Sequence, residues 1–291
     1  MRVQWSRRKT DQAAIGVPDY APPRPHGKER EQIEHFSPNQ AKTMIELSSN
    51  RSEHGAVRIF RSQRRVSHIY MHGDAYQSEA DCCGISLASY IHAIYGLICQ
   101  MDARSVLLIG CAGGTLATML ALGDCEITAV DVNPIAFEFA RRYFCLPGSV
   151  ECCVADGLDY LRSAGRCFDA VVLDAYDGSV IPDHLTSRQF LRLVRSSLNS
   201  GGAFFANVHM CNDADRARNA LASCAADVWP NVRILDTPGD IDRNAIVAAG
   251  DVAALVIPGM HVMPQYDVDM IESELAAMKF CDVSAGSEIR L

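Results

Sequence analysis

From Ser105 onward, short apolar runs alternate with stretches whose apolar residues recur at helical intervals. "SVLLI" precedes "TLATMLAL", "EITAV" precedes "PIAFEFARRYF", "VECCVA" precedes "GLDYLRSA", "DAVVLDA" precedes "SRQFLRLVRSSL", and "GAFFANVH" precedes "DADRARNALASCAADV". This alternation predicts crossover units: a mostly parallel sheet, covered by helices on both sides. "VRILDT" and "NAIVAAG" are expected as late strands that close the sheet, and "VDMIESELAAMK" as the last helix.

The chain before that point reads differently. Residues 1–50 are rich in charge, Pro and Ser, as in "DYAPPRPHGKEREQ", without a sustained apolar period, which predicts a mobile N-terminal extension. Residues 51–80 hold two β-type runs, "AVRIF" and "VSHIYM", separated by an arginine-containing polar turn, and are expected to form a small β-hairpin unit. "ISLASYIHAIYGLICQM" has helical spacing and opens the main domain, residues 81–291.

Composition narrows the partners. With 291 residues and 48% of them apolar, the chain can bury the core of one large α/β domain with a small appendage. A net charge of −8 argues against a general nucleic-acid binder and favours a small cationic or polar substrate. The twelve cysteines include the adjacent pairs Cys82-Cys83 and Cys152-Cys153 but no C-x-x-C spacing, so no metal site is expected. Cys99, Cys111, Cys145 and Cys167 lie in apolar surroundings and read as reduced core thiols of a cytoplasmic protein. No apolar run is long enough for a signal peptide or a membrane span.

Candidate chemistry collects at the strand ends. The first strand of the alternating region runs into "GCAGGT", where Gly110 and Gly113 let the backbone approach a ligand. The second ends in Asp131, 21 residues after Gly110, where a carboxylate can accept both hydroxyl hydrogens of a ribose; the alternative is an N-cap for the helix that Pro134 begins. Asp156-Gly157 ends the third, either facing the adenine of a nucleoside or capping a helix. The fourth runs into "VLDAYDGSVIPDHL", where Asp174 and Asp177 can bind a cationic amine and hold one deprotonated nitrogen in line with an electrophilic carbon. That suits alkyl transfer better than hydride transfer, and "GCAGGT" lacks the third glycine of a dinucleotide loop.

In this order, "VLLIGCAGGT", "ITAVDVNP", "VADGLDYL" and "VLDAYDGSVIPDHLTSRQF" resemble the spermidine synthase (polyamine aminopropyltransferase) family, over residues 57–250. The resemblance implies a Rossmann-like, class I methyltransferase-type doubly wound α/β sheet with a small N-terminal β domain. It also implies a homodimer that takes decarboxylated S-adenosylmethionine and a small amine. Carried over residue by residue, Asp131 holds the ribose, Asp156 and Gly157 the adenine side, and Pro182 the adenosyl pocket; Gln77 touches the sulfonium nucleoside. Asp174 becomes the proton acceptor, with Asp177, Tyr176 and His92 on the amine side.

The chain departs from the family pattern at three places. Gly113 stands where the family has a loop aspartate, the preceding helix offers Tyr90 and His92 but no Glu, and Gly178 replaces a proline, loosening its turn. A doubly charged diamine is therefore expected to bind more weakly. The neutral loop also admits a second reading, a methyltransferase that uses intact S-adenosylmethionine. Against that reading, Leu108 stands where many methyltransferases carry an acidic residue, and there is no N-P-P-Y motif. A third reading is a nucleoside-binding protein of the same fold without catalysis.

Overall fold

The structure is a computed structural model that describes residues 44–283. Most of the expected N-terminal extension, residues 1–43, lies outside the described residues, but its last part is a strand. That strand, β1 (Met44–Ser52), begins a four-stranded antiparallel sheet with β2 (Gly55–Ser62), β3 (His68–His72) and β4 (Ala75–Ala80), in the order β1-β2-β3-β4. The expected hairpin forms its middle pair. β1 escapes the pattern because "MIELSSNRS" is an exposed edge strand with no buried stripe to leave a period in its sequence. The sheet buries Val57, Ile59, Tyr70 and Ala80 against Ala136, Phe139 and Phe144.

Helix α1 (Ser89–Gln100) leads into the main domain. There follow β5 (Ser105–Ile109), α2 (Thr115–Leu120), β6 (Glu126–Asp131), α3 (Pro134–Tyr143), β7 (Glu151–Val154), α4 (Gly157–Ser163) and β8 (Phe168–Leu173). The chain continues through α5 (Arg188–Ser196), β9 (Leu198–Met210), α6 (Ala217–Ala226), β10 (Val232–Asp236), β11 (Arg243–Gly250), α7 (Val268–Ala277) and β12 (Lys279–Val283). The eight strands are ordered β12-β10-β11-β9-β8-β5-β6-β7. Strands β5 to β9 run parallel, and β11, β10 and β12 extend the sheet antiparallel, β12 being a strand the periodicity did not announce.

The continuous apolar run of β5 has a direct explanation. Val106 and Leu108 point into one core, beneath α1, α2 and α7, while Leu107 and Ile109 point into the other, beneath α5 and α6. The cysteine expectation is corrected: all twelve are free, but Cys145 and Cys167 are exposed and Cys99 and Cys111 only partly covered. Cys145 follows the end of α3 and Cys167 precedes β8, so both lie on connections, which run over the surface. Among the described residues, no helix is long and apolar enough to cross a membrane.

Strand order fixes the ligand end of the sheet. From β5 the chain moves outward through β6 to β7, then returns to place β8 on the other side of β5. Open α/β sheets bind ligands outside the carboxyl ends of the strands at such a reversal. Here the main chains leaving β5 and β8 nearly touch: Asp174 N donates to Ile109 O at 2.8 Å. Gly110 has φ +97°, and a Cβ there would lie 2.2 Å from the Asp174 carbonyl oxygen. Gly110→Ala is therefore expected to lower unfolding free energy by about 2 kcal/mol or more, measured by urea denaturation.

Candidate active site

The loop after β5 is held by a carboxylate. Asp131, at the end of β6, accepts from Cys111 N and Asn133 N, each at 2.8 Å. Burial pushes its carboxyl up, while backbone donors at Asn133, Cys111 and Ala112 pull it down. Its alternative role as a helix cap goes to Asn133, whose side chain accepts from Ile135 N at 3.2 Å, with Pro134 in the first turn. Ala112 has φ +44°, an uncommon conformation for a residue with a Cβ. Strain of this kind collects where a loop is shaped for a ligand, and nothing in "GCAGGT" marks Ala112 as its bearer.

Asp156 fulfils the helix-cap reading. Its Oδ1 accepts from Leu158 N at 2.9 Å and Asp159 N at 3.2 Å at the start of α4, and its Oδ2 meets His184 Nε2 at 2.7 Å. Partial burial pushes its carboxyl up, but His184 and the two N–H donors outweigh that and hold it below its ordinary value. Gly157 is required by packing, since a Cβ would lie 2.4 Å from the Ile109 side chain. Pro182 precedes a single 3₁₀ turn, Asp183–Leu185, that carries His184 to Asp156. His184 was not anticipated, because only the folded loop brings it to that strand end.

Asp174 lies at the reversal point itself. Tyr90 Oη donates to its Oδ2 at 3.3 Å, and Asn207 Nδ2 donates to its Oδ1 at 2.7 Å. Burial pushes the Asp174 carboxyl up, and these two hydrogen bonds offset part of that rise. Burial, followed by the charge of Asp174, pushes the Tyr90 phenol well up, so Tyr90 remains a donor. The Tyr176 hydroxyl donates to Asn207 O and accepts from His209 N, both at 2.9 Å, which pins the loop after β8 to β9. Asp177 is exposed, beside a tight turn that Asp177 N→Val180 O at 2.9 Å and Val180 N→Asp177 O at 3.2 Å close. Gly178, with φ +63°, suits this turn, which is closed where the sequence suggested loosening.

The strand ends are therefore arranged as Asp174, Gly110, Asp131 and Asp156, following the order β8-β5-β6-β7. Asp174 and Asp156 stand three strand spacings apart, roughly 14 Å, at the two ends of this row of strand ends.

Gln77 lies on β4 at a β-bulge, where pairing passes from Tyr70↔Ser78 to Met71↔Tyr76 and leaves Gln77 as the extra residue. Bulges re-aim side chains beside active sites. The next residue reaches the glycine loop, with Gly113 N donating to Ser78 Oγ at 3.3 Å. A Cβ on Gly113 would lie 3.0 Å from both Ser78 Cβ and the Phe144 ring, so the small sheet occupies the space a side chain there would need.

His92 does not join the site. It is 1% exposed, and its Nε2 meets Ser86 O at 2.8 Å. Burial pushes its pKa down, opposed by that contact. Two residues along a helix amount to about 200° of rotation, so while Tyr90 faces Asp174, His92 faces the core. Asn207, 2% exposed, was missed; the one polar residue in the strand-like "AFFANV" was the available signal.

This geometry defines an α/β domain of the class I methyltransferase type, and the methyltransferase domain family matches residues 106–202. A polyamine aminopropyltransferase of Neisseria meningitidis is 32% identical over 193 residues, covering 63% of this chain and 72% of the relative. The chain belongs to the polyamine aminopropyltransferase family. One from Chromobacterium violaceum is 35% identical over 167 residues, covering 55% of this chain and 62% of the relative. A probable polyamine aminopropyl transferase of Bifidobacterium longum is 31% identical over 148 residues, 49% of this chain, which spans only 33% of that longer relative. The probable spermidine synthase structure of Corynebacterium glutamicum shares the fold with TM-score 0.64 at 17% identity, over 81% of this chain and 90% of that one.

The raised carboxyl of Asp174 has a stability consequence. A group protonated more easily in the native than in the unfolded state destabilises the fold above its native pKa, and that cost disappears as pH falls through that value. Asp174→Asn removes the buried charge and can keep an oxygen toward the Asn207 Nδ2 donor while its NH2 meets the Tyr90 hydroxyl oxygen, and it is expected to raise stability at pH 7 by on the order of 1 kcal/mol. The gain over wild type should shrink on acidification, as followed by thermal unfolding across pH.

Proposed function

We propose that the protein transfers an aminopropyl group from decarboxylated S-adenosylmethionine to a small amine, with Asp174 as proton acceptor. The observation that carries this reading is a half-buried carboxylate at the strand reversal, fixed by Tyr90 and Asn207 beside the glycine loop.

The donor set fits a cationic nucleoside. Asp131, at the end of β6, is assigned to the ribose diol, and Asp156 and Gly157, one strand further out, are assigned with Pro182 to the adenine side. Gln77, the extra residue of the β4 bulge next to Ser78, is assigned on the family likeness to the sulfonium end. When bound, the sulfonium compound supplies an electrophilic carbon and a neutral thioether leaving group. Asp174 Oδ2 then takes the proton from the attacking nitrogen, and Tyr90 steadies that oxygen. Tyr176, whose hydroxyl is occupied by β9, has its ring to offer to the amine. Asp177, exposed near the mouth, draws the cation in. A homodimer in the cytoplasm is the setting the family likeness supports.

One observation favours a second reading, methyl transfer from intact S-adenosylmethionine. The glycine loop is uncharged, and Phe144 and Ser78 fill the space beside Gly113, so no acidic side chain stands there to repel the carboxylate of the intact compound.

Calorimetry with decarboxylated and intact S-adenosylmethionine separates the two, and tighter binding of the decarboxylated compound is expected. A clear preference for the intact compound would overturn the aminopropyl reading. Asp174→Asn is expected to lower aminopropyl transfer by about 10²-fold or more, measured by chromatography of the polyamine product, with nucleoside affinity retained.

A further inference from the structure

We infer that Asn207, backed by Asn244, is a positioning residue that fixes the Asp174 carboxylate and assigns proton acceptance to Oδ2. The inference rests on the proposed role of Asp174 and extends it to two residues on neighbouring strands.

Strand register brings the three side chains together. β8 and β9 pair in parallel with Leu173 opposite Ala206, so Asp174 and Asn207 are the next residues along. On the other side of β9, Asn207 pairs with Ile246 of β11, and Asn244 lies two residues before Ile246 on the same face. Asn244 Nδ2 donates to Asn207 Oδ1 at 2.8 Å, and Asn207 Nδ2 donates to Asp174 Oδ1 at 2.7 Å. The line runs in one direction. With its oxygen taken by Asn244, the buried Asn207 amide must present N–H to Asp174, since a flip would set two oxygens against each other and two N–H groups against each other.

Asp174 Oδ1 is thereby held as an acceptor with a close donor, and a proton gained by the carboxylate sits on Oδ2. That oxygen is the one Tyr90 approaches, at the longer distance of 3.3 Å. An apolar residue at 207 would leave Oδ1 desolvated without a donor and push the carboxyl further up. The titratable groups facing Asp174 are Tyr90 from α1 and Tyr176 from its own loop; β9 presents Asn207 and β5 the Gly110 backbone. Neither phenol titrates in the range where a carboxylate does.

The test reads Asp174 directly. Its carboxyl titration is followed by infrared spectroscopy of the full chain, with Asp174→Asn identifying the signal, in wild type and in Asn207→Leu. Loss of a hydrogen bond to a charged group is expected to raise the midpoint by about one pH unit or more. The acid limb of turnover should move by the same amount, while calorimetric affinity for S-adenosyl compounds stays within about twofold. An unchanged midpoint overturns the inference. Should Asn207→Leu fail to fold, Asn207→Ala, which also removes the donor to Asp174 Oδ1, is expected to move the midpoint in the same direction, and no movement there overturns it too. The titration needs no substrate, so failure of aminopropyl transfer itself would appear separately, as absent product with the midpoint shift intact.

Discussion

The near-contact of two main chains at Gly110 and Asp174 is the constraint around which the site is organised. Parallel strands at a reversal of strand order leave their carboxyl ends open, and the residue after β5 must turn sharply there. A glycine with φ +97°, whose missing side chain would overlap the Asp174 carbonyl, permits both the turn and the approach. From that junction the glycine loop leads to Asp131 on one side, and β8 delivers Asp174 on the other.

The polar groups at this junction work against their surroundings. Burial raises the carboxyls of both Asp131 and Asp174, and each is answered by donors: backbone N–H groups for Asp131, Asn207 and Tyr90 for Asp174. On the proposed role of Asp174, a proton acceptor needs such a balance. It must ionise near working pH yet hold a proton long enough to matter, which burial favours and hydrogen bonding limits. The same donors fix geometry, and positioned groups lose little entropy when substrate arrives.

The small sheet is part of the site. Its buried face covers α3, Ser78 bonds to the glycine loop, and Phe144 and Ser78 close the space around Gly113. An acidic side chain at Gly113 would require Phe144 or the small sheet to shift, so the neutral loop is a packed feature. On the proposed reading, an amine acceptor would find its charge partners at Asp174 and Asp177, with Tyr90 in support.

Periodicity along the chain determined most of the element order, because whether a segment is buried on one face, two or none is written locally in its apolar spacing. It also placed Asp131, Asp156 and Asp174 at strand ends, since each follows an apolar run directly. It failed for β1, an exposed edge strand, and for β12. Only tertiary structure decided which strand ends are neighbours, and so that Asp174 adjoins the glycine loop while Asp156 stands at the far end. It alone turned Tyr90 toward Asp174 and His92 into the core, placed Cys145 at the surface, and joined Asn244, Asn207 and Asp174 across three strands. The reason is physical: spacing records how a residue meets its own element, whereas a site is made by residues far apart in sequence that strand order and register bring within hydrogen-bond reach.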